Sequence, residues 1–465
     1  MTVTSIRLAS CAGALSIAVA AHADFRAALA DYNAGRYLAA HEQFQRLAEL
    51  GDCSSQFNLG AMALKGQGGP KDSGSGVGWL RAAAANGCQP LVGEKLLALE
   101  ARLDATERRA AEEIVARYGH EALRAQGIVE PDFSCRTDSP ATLLDSPAPE
   151  YPHSAGGVRR PALVITVLTI GADGLARDPE ILLALPGEGF AASAVEAWLN
   201  SRFAPATRAG APVESRLPAK LVFGVEGSHG LAGIEAVARA RERADAGDAD
   251  AAYTTGLAAT LDASLGISSA RAGQLLLSAA RDGDAEAQYW VGRELRATAA
   301  CHPQANGAVW LRHAADGGSA AAQLILAVDL LAGAPSAAQL ASARSLLEQA
   351  SGADSFYVRK HVAALLAASP LDAVRDPATA LRVALELAAG EIQTDPQMFE
   401  TLAAAYAASG DFGRAIAKQR MALRKAEALA WDTRLMKQRL GEYRAGRAWR
   451  GALLPLPSSG APGAR

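Results

Sequence analysis

Along most of the chain apolar residues recur at helical spacing, in blocks that glycines separate. A turn glycine returns about every 35 residues: "GDCSSQFNLG" from Gly51, "GDADAAYTTG" from Gly247, "GDAEAQYWVG" from Gly283, "GGSAAAQLIL" from Gly317 and "GADSFYVRKH" from Gly352. Ahead of it a second phrase repeats, as "WLRAAAANG" (Trp79 to Gly87), "LLSAARDGD" (Leu276 to Asp284) and "WLRHAADGG" (Trp310 to Gly318). Helical periodicity within blocks and glycine between them predict helix–turn–helix units. One such pair cannot bury its apolar face alone, so a period of this size predicts a stacked solenoid.

In mid-chain the period changes from helical to two. "ALVITVLTI" (Ala162 to Ile170) is β-branched and apolar, "GADG" (Gly171 to Gly174) is turn-like, and "LARDPEILLAL" (Leu175 to Leu185) follows as a second strand. Phe190, Ala194, Ala197 and Trp198 then sit at helical spacing, predicting one helix across Gly189 to Phe203. "SRLPAKLVFGV" (Ser215 to Val225) is a last strand, and Pro218 favours the edge of a sheet because it removes one backbone donor. Strand, strand, helix, strand predicts a small α+β unit with an antiparallel sheet. The stretch "SPAPEYPHSAGG" (Ser146 to Gly157) marks its entrance.

The first 23 residues differ again. Arg7 precedes an apolar run from Leu8 to Ala21, and "AHA" stands before Asp24. That is the order of an export signal, and the run is too short to span a bilayer comfortably. The chain is therefore expected to be exported to the periplasm of a Gram-negative envelope, without a stable membrane span. In the whole chain 46 basic residues face 49 acidic ones, for a net charge of −3. Nothing in that balance suggests a nucleic-acid partner. Basic stretches such as Arg239, Arg241 and Arg243, or Lys418 to Lys437, read as solvated helix faces. Beyond the signal, four cysteines remain: Cys53, Cys88, Cys135 and Cys301. They permit up to two bridges in three connectivities, and Cys53 and Cys88 are the candidate pair because both follow a turn glycine.

Two family resemblances rest on these residues. The phrase W-x-x-x-A-A-x-x-G followed by G-D-A-x-A-Q-x-x-x-G resembles Sel-like repeats, a subclass of tetratricopeptide repeats (TPR). The block "TLAAAYAASGDFGRAIAKQRMAL" (Thr401 to Leu423) looks like a standard TPR unit, with "LGEYRAGRAWR" (Leu440 to Arg450) closing the array. The mid-chain segment resembles the C-terminal domain of TonB-type energy transducers. It matches through Pro149, Tyr151, Pro152 and Ala155, then Asp173 and Gly174, then Trp198, Phe203, Pro205, Ala206, Gly210, Pro212, Val213 and Phe223. Four residues separate Trp198 from Phe203, which predicts an extended helix end. This second resemblance implies β-augmentation, in which an extended peptide pairs with the sheet edge. It implies Tyr151, Pro152 and the run of Ser215, Arg216, Leu217, Lys220 and Val222 as partner-binding residues. Tyr151 serves equally well as a packing residue at the domain entrance.

Chemistry is sparse. "LKGQGGPKDSGSGVGW" (Leu64 to Trp79) is glycine-rich, but Lys71 precedes Asp72 rather than Ser or Thr, and helical sequence flanks it. It reads as an inter-helix loop and not as a phosphate cradle. His153, His313 and His361 show no ligand or triad spacing, and no cofactor, metal or catalytic residue is predicted. The expected fold is multidomain. It comprises a signal peptide (1–23), Sel-like/TPR helices (24–127), a linker (128–147), a TonB C-terminal-like α+β insert (148–226), further Sel-like/TPR helices (230–450) and a disordered tail (451–465). The expected role is a non-enzymatic interaction protein whose partner is an envelope protein or extended peptide, with an outer-membrane transporter as one candidate. The alternative is a TonB-type energy transducer or an accessory of TonB-dependent transport.

Overall fold

A computed structural model describes residues 25–88, 95–128, 139–152, 161–185, 189–224, 235–297 and 307–455. Residues 1–24, expected to hold an export signal, and His153, Ala155, Cys135 and Cys301 lie outside them.

The N-terminal helices are α1 (Phe25–Asn33), α2 (Tyr37–Glu49), α3 (Cys53–Lys65), α4 (Ser73–Ala83), α5 (Lys95–Glu100), α6 (Ala105–Tyr118) and α7 (His120–Ala125). The glycine-rich stretch is the connection from α3 to α4, as its flanking periodicity predicts. After the insert six helix pairs follow: α9 (Glu235–Asp245) with α10 (Ala249–Leu261), α11 (Ser269–Arg281) with α12 (Ala285–Ala297), α13 (Gly307–Asp316) with α14 (Ala320–Leu331), α15 (Ala337–Ser351) with α16 (Phe356–Ala368), α17 (Pro377–Ala389) with α18 (Pro396–Ala408), and α19 (Phe412–Ala428) with α20 (Arg434–Arg444).

The repeated phrase carries three physical functions. Its aspartate caps the second helix: Asp52 accepts from the Ser55 amide at 2.7 Å and Asp284 from the Ala287 amide at 2.6 Å. Its glutamine reaches back to a carbonyl of the preceding helix. Gln56 donates to Ala48 O at 3.0 Å, Gln288 to Ala280 O at 2.9 Å and Gln323 to Ala315 O at 3.2 Å. Each of these carbonyls lies in the last turn of its helix and also accepts from the amide of the turn glycine, Gly51, Gly283 or Gly318, so the glutamine fills its second acceptor position. Its last glycine is a crossing point. A Cβ on Gly292 would stand 2.9 Å from Gly307 O, and one on Gly307 would stand 2.4 Å from Gly292 O. The repeat thus records which backbones touch.

The insert holds β1 (Thr142–Asp145), β2 (Ala162–Ile170), β3 (Ala176–Leu185), α8 (Phe190–Leu199), β4 (Arg202–Ala204), β5 (Ala206–Arg208), β6 (Ala211–Val213) and β7 (Ser215–Phe223). Its main sheet is antiparallel in the order β3-β2-β7. Strand β2 runs from Ala162 opposite Phe223 to Ile170 opposite Ser215. Residues Ala162, Val164, Leu168 and Ile170 pack with Phe190, Ala194 and Trp198 of α8, while Leu163 and Ile165 face the repeat helices. Three elements differ from the sequence reading. Residues 142–145, expected in a linker, form β1 and pair with β4. The helix stops at Leu199 instead of running to Phe203, because the chain turns at Asn200 into that β1–β4 ribbon. In the expected tail, Leu453 and Leu454 are buried and the Gly451 amide donates to Ala368 O at 2.8 Å.

The insert is embedded among the helices. Val195 and Leu199 on the far side of α8 join Leu423, Leu429, Trp431 and Met436 of the last pair in one core. The N-terminal helices pack directly on the central ones: the Phe25 amide donates to Asp282 O at 3.2 Å, and Leu50 lies in the same core as Leu276 and Trp310. Cys53 and Cys88 form a disulfide that ties α3 to the turn after α4 across a sequence separation of 35.

Two predictions follow from this packing. Removing the disulfide by Cys53→Ala with Cys88→Ala frees a loop whose closure entropy is worth about 4 kcal/mol. The variant is expected to melt earlier than the wild type in calorimetry under non-reducing conditions, and the gap should close when reductant is added. At the junction of α2 with α13, His313 is lowered to about 4 by burial, reinforced by Arg312 and Arg46. Glu49 Oε2 stands 3.9 Å from its Nε2, too far for a hydrogen bond. Below its unfolded value of about 6.5 the unfolded chain binds a proton that the folded chain refuses. Stability is therefore expected to fall between about pH 6.5 and pH 4, by about 3 kcal/mol at most. Urea unfolding of His313→Gln across that range should lack this component.

Candidate partner-binding site

The residues implied in partner binding divide into two groups in space. Tyr151 lies edge-on to Phe190 at 5.2 Å and to Phe223 at 6.4 Å between ring centroids, so it staples the entrance of the insert to α8 and β7. Pro152 beside it is buried. The remaining five lie on β7. Leu217 points to the α8 side with Ala219 and Leu221. Arg216, Lys220 and Val222 alternate to the other face, where the repeat helices stand. There Val222 packs against the Leu163 and Leu257 core, and Lys220 pairs with Asp262, at the end of α10, at 2.6 Å. Ser215 opens the strand, its Oγ buried without a partner among the described residues.

Arg216 belongs to a larger assembly that no motif announced. Its guanidinium pairs with Glu180 of β3, donates to the Tyr357 hydroxyl at 3.3 Å and stacks over that ring at 5.6 Å. The Tyr289 hydroxyl of α12 donates to the other Glu180 oxygen at 2.6 Å, and Arg293 approaches the same carboxylate at 3.7 Å. One turn of the sheet away, Asp178 receives His361 Nε2 at 2.8 Å and Lys360 Nζ at 2.9 Å, both from α16. Lys360 also donates to Asp395 at 2.7 Å and to Gln397 at 2.9 Å, at the start of α18. Every one of these groups except Arg216 is buried.

The backbone of β3 aims these carboxylates. Against β2 the register slips between Val167 opposite Glu180 and Thr169 opposite Arg177, so Asp178 and Pro179 form a bulge. Asp178 adopts φ +51°, a left-handed conformation that aspartate tolerates better than most side chains. The bulge turns its side chain out of the sheet toward α16. Burial alone would raise the Asp178 carboxyl, but His361 and Lys360 pull it far below the usual carboxylate range. Burial likewise disfavours charge on Lys360, and Asp178 with Asp395 overturns it, raising the ammonium. An Asp–His pair beside a lysine resembles catalytic machinery, but no described cavity reaches it. The assembly fastens the insert to α12 and α16, the second helices of two pairs, and Lys360 carries the network on to the start of α18. Its signal in the sequence was faint: two carboxylates inside the otherwise apolar "LARDPEILLAL", and Lys360–His361 inside an apolar helix.

With those side chains committed inward, what β7 leaves available is its main chain. It lies at one edge of the sheet, and no described strand pairs with its outer side. Among the described residues no helix is long and apolar enough to cross a membrane, and no group of three or more His, Cys, Asp or Glu could hold a metal ion.

No family model matches the chain, and no curated protein does. Among solved structures, it is similar to a protective antigen of uropathogenic Escherichia coli strains displaying an SLR fold, at 15% identity, covering 91% of this chain and 84% of that one, with a TM-score of 0.32. Superposition that loose carries no argument. The helical repeat architecture stands on the pairing and capping described above.

Removing one partner from the lock strands the others without water or counter-charge. Asp178→Ala is expected to cost about 3–5 kcal/mol in urea unfolding, and Lys360→Met a comparable amount. Because the Asp178 carboxyl is depressed in the fold, its contribution is complete above the unfolded value of about 4 and is lost as pH falls further. The difference between wild type and Asp178→Ala should therefore shrink on acidification below about pH 4; a difference that stays constant there would refute the assignment.

Proposed function

We propose that this protein is a non-enzymatic interaction protein of the cell envelope, in which the helical repeats hold a TonB-like insert so that the β7 edge can receive an extended peptide. The observation that carries the reading is the position of β7 at the edge of the β3-β2-β7 sheet, with no described strand on its outer side. An unpaired row of amides and carbonyls is a template for one more strand. The match of Tyr151, Pro152, Trp198, Phe203 and Phe223 to the TonB pattern supports the same use of the edge, and the signal-like first 23 residues support an envelope location.

The packing refines this role. Side chains of α12 and α16, and Asp262 at the end of α10, that could have lined a groove for a partner are occupied by the insert. The repeats therefore act as a clamp on the strand-adding unit. Affinity would come from main-chain hydrogen bonds and selectivity from side chains that flank the edge.

Hydrogen exchange tests this at the edge itself. Peptides selected from a displayed library should slow exchange at the outward amides of residues 215–223, leaving the exchange of β2, already paired on both sides, unchanged. Selected binders that protect other segments and leave β7 unaffected would remove the strand-addition role.

A further inference from the structure

Away from the insert, an open cavity of about 330 Å³ lies between α9, α10 and the start of α11. Its floor holds Thr255, which is only 1% exposed and whose Oγ1 has no hydrogen-bond partner among the described residues. Of the buried hydroxyls left in that state, Thr255 is the one that lines a described cavity. A desolvated hydroxyl without a partner costs free energy, so a polar group brought within reach of Thr255 through the cavity would be stabilised by it.

The remaining walls define the ligand. Ser268 caps the thirteen-residue α11, its Oγ accepting from the Arg271 amide at 3.2 Å, so the positive end of that helix opens at the rim. The Arg271 guanidinium lines the same rim and makes no ion pair among the described residues. Arg241 stands on the α9 wall, steadied by the Leu265 carbonyl at 3.3 Å. Also on α9 is Asp245, exposed and likewise outside the described ion pairs. Ile267 and the buried Leu275 supply apolar surface. Two guanidiniums and a helix N-terminus against a single carboxylate favour a monoanion that also carries an N–H. The volume is at the small end of ligand sites.

From this arrangement we infer that the α9–α11 cavity is a binding site for an α-amino carboxylate with a short apolar side chain, either a free amino acid or the C-terminal residue of a peptide. The carboxylate lies against Arg271 and the α11 N-terminus, the nitrogen toward Asp245, the side chain along Ile267 and Leu275, and the Thr255 hydroxyl gains its missing bond. A phosphate dianion is disfavoured because Asp245 shares the cavity.

Calorimetric titration of the full chain with L-leucine, N-acetyl-L-leucine, L-leucinamide and inorganic phosphate tests the site. Saturable binding of leucine identifies the free amino acid as the source, and binding of N-acetyl-leucine alone identifies a peptide terminus. Leucinamide, without the carboxylate, should bind at least about tenfold more weakly, as should the binding ligand to Arg271→Ala or Thr255→Val. Thr255→Val also separates a site from a structural role: in the free protein it should melt no earlier than the wild type, since it removes an unsatisfied hydroxyl. The inference is overturned if neither leucine nor its acetyl derivative binds at millimolar concentration, if phosphate binds as well as they do, or if Thr255→Val binds normally.

Discussion

Two carboxylates on one bulged strand tie this molecule together. Asp178 and Glu180 leave the sheet on its helix side and meet Lys360, His361, Tyr289, Arg293 and Arg216, drawn from α12, α16 and β7. In so dry a setting these charges are tolerable only while each keeps its partners, because desolvation of a lone ion would outweigh most of the stability of a domain. The contact is therefore selective as well as adhesive. Apolar packing of Leu163, Ile165 and Val222 on the helices would tolerate sliding, whereas the paired charges admit one placement of the sheet.

That placement explains why an α+β unit sits in mid-chain among repeats. A solenoid of small-residue helix pairs buries apolar surface between neighbours but leaves a row of second helices facing inward. Here the insert packs on α12 and α16, and α8 reaches onward to Trp431 and Met436 of the final pair. The closing residues Leu453 and Leu454 join the same core as α16 and α18. Alanine and glycine at the crossings let the helices approach closely, and the repeated glutamine and aspartate settle the polar groups that such closeness would strand. The helices thus hold the insert in one place, while no described strand pairs with the outer side of β7.

How much of this was legible depended on the range of the interaction. Strand β2 coincides with the alternating run Ala162 to Ile170, and the repeat helices follow their glycine punctuation, because periodicity and turn chemistry are local. The periodicity after Gly189 predicts a longer helix than forms, and residues 142–145 read as linker, because both depend on a ribbon between Thr142–Asp145 and Arg202–Ala204 whose partners are far apart in the chain. His361 illustrates the other limit. In its helix it reads as an ordinary repeat residue, and its partner Asp178 is 183 positions away.

The sequence by itself determined the repeat unit with its turn glycines, the strand–strand–helix–strand order of the insert and the edge character that Pro218 lends to β7. These follow from residues a few positions apart, whose geometry the backbone dictates. The tertiary structure alone decided that Arg216, Lys220 and Val222 face inward, that a bulge aims Asp178 at α16, and that Thr255, with its buried unsatisfied hydroxyl, lines a charged cavity. Those outcomes depend on which distant surfaces meet, and a buried charge or hydroxyl shows its cost only after water has been removed from around it.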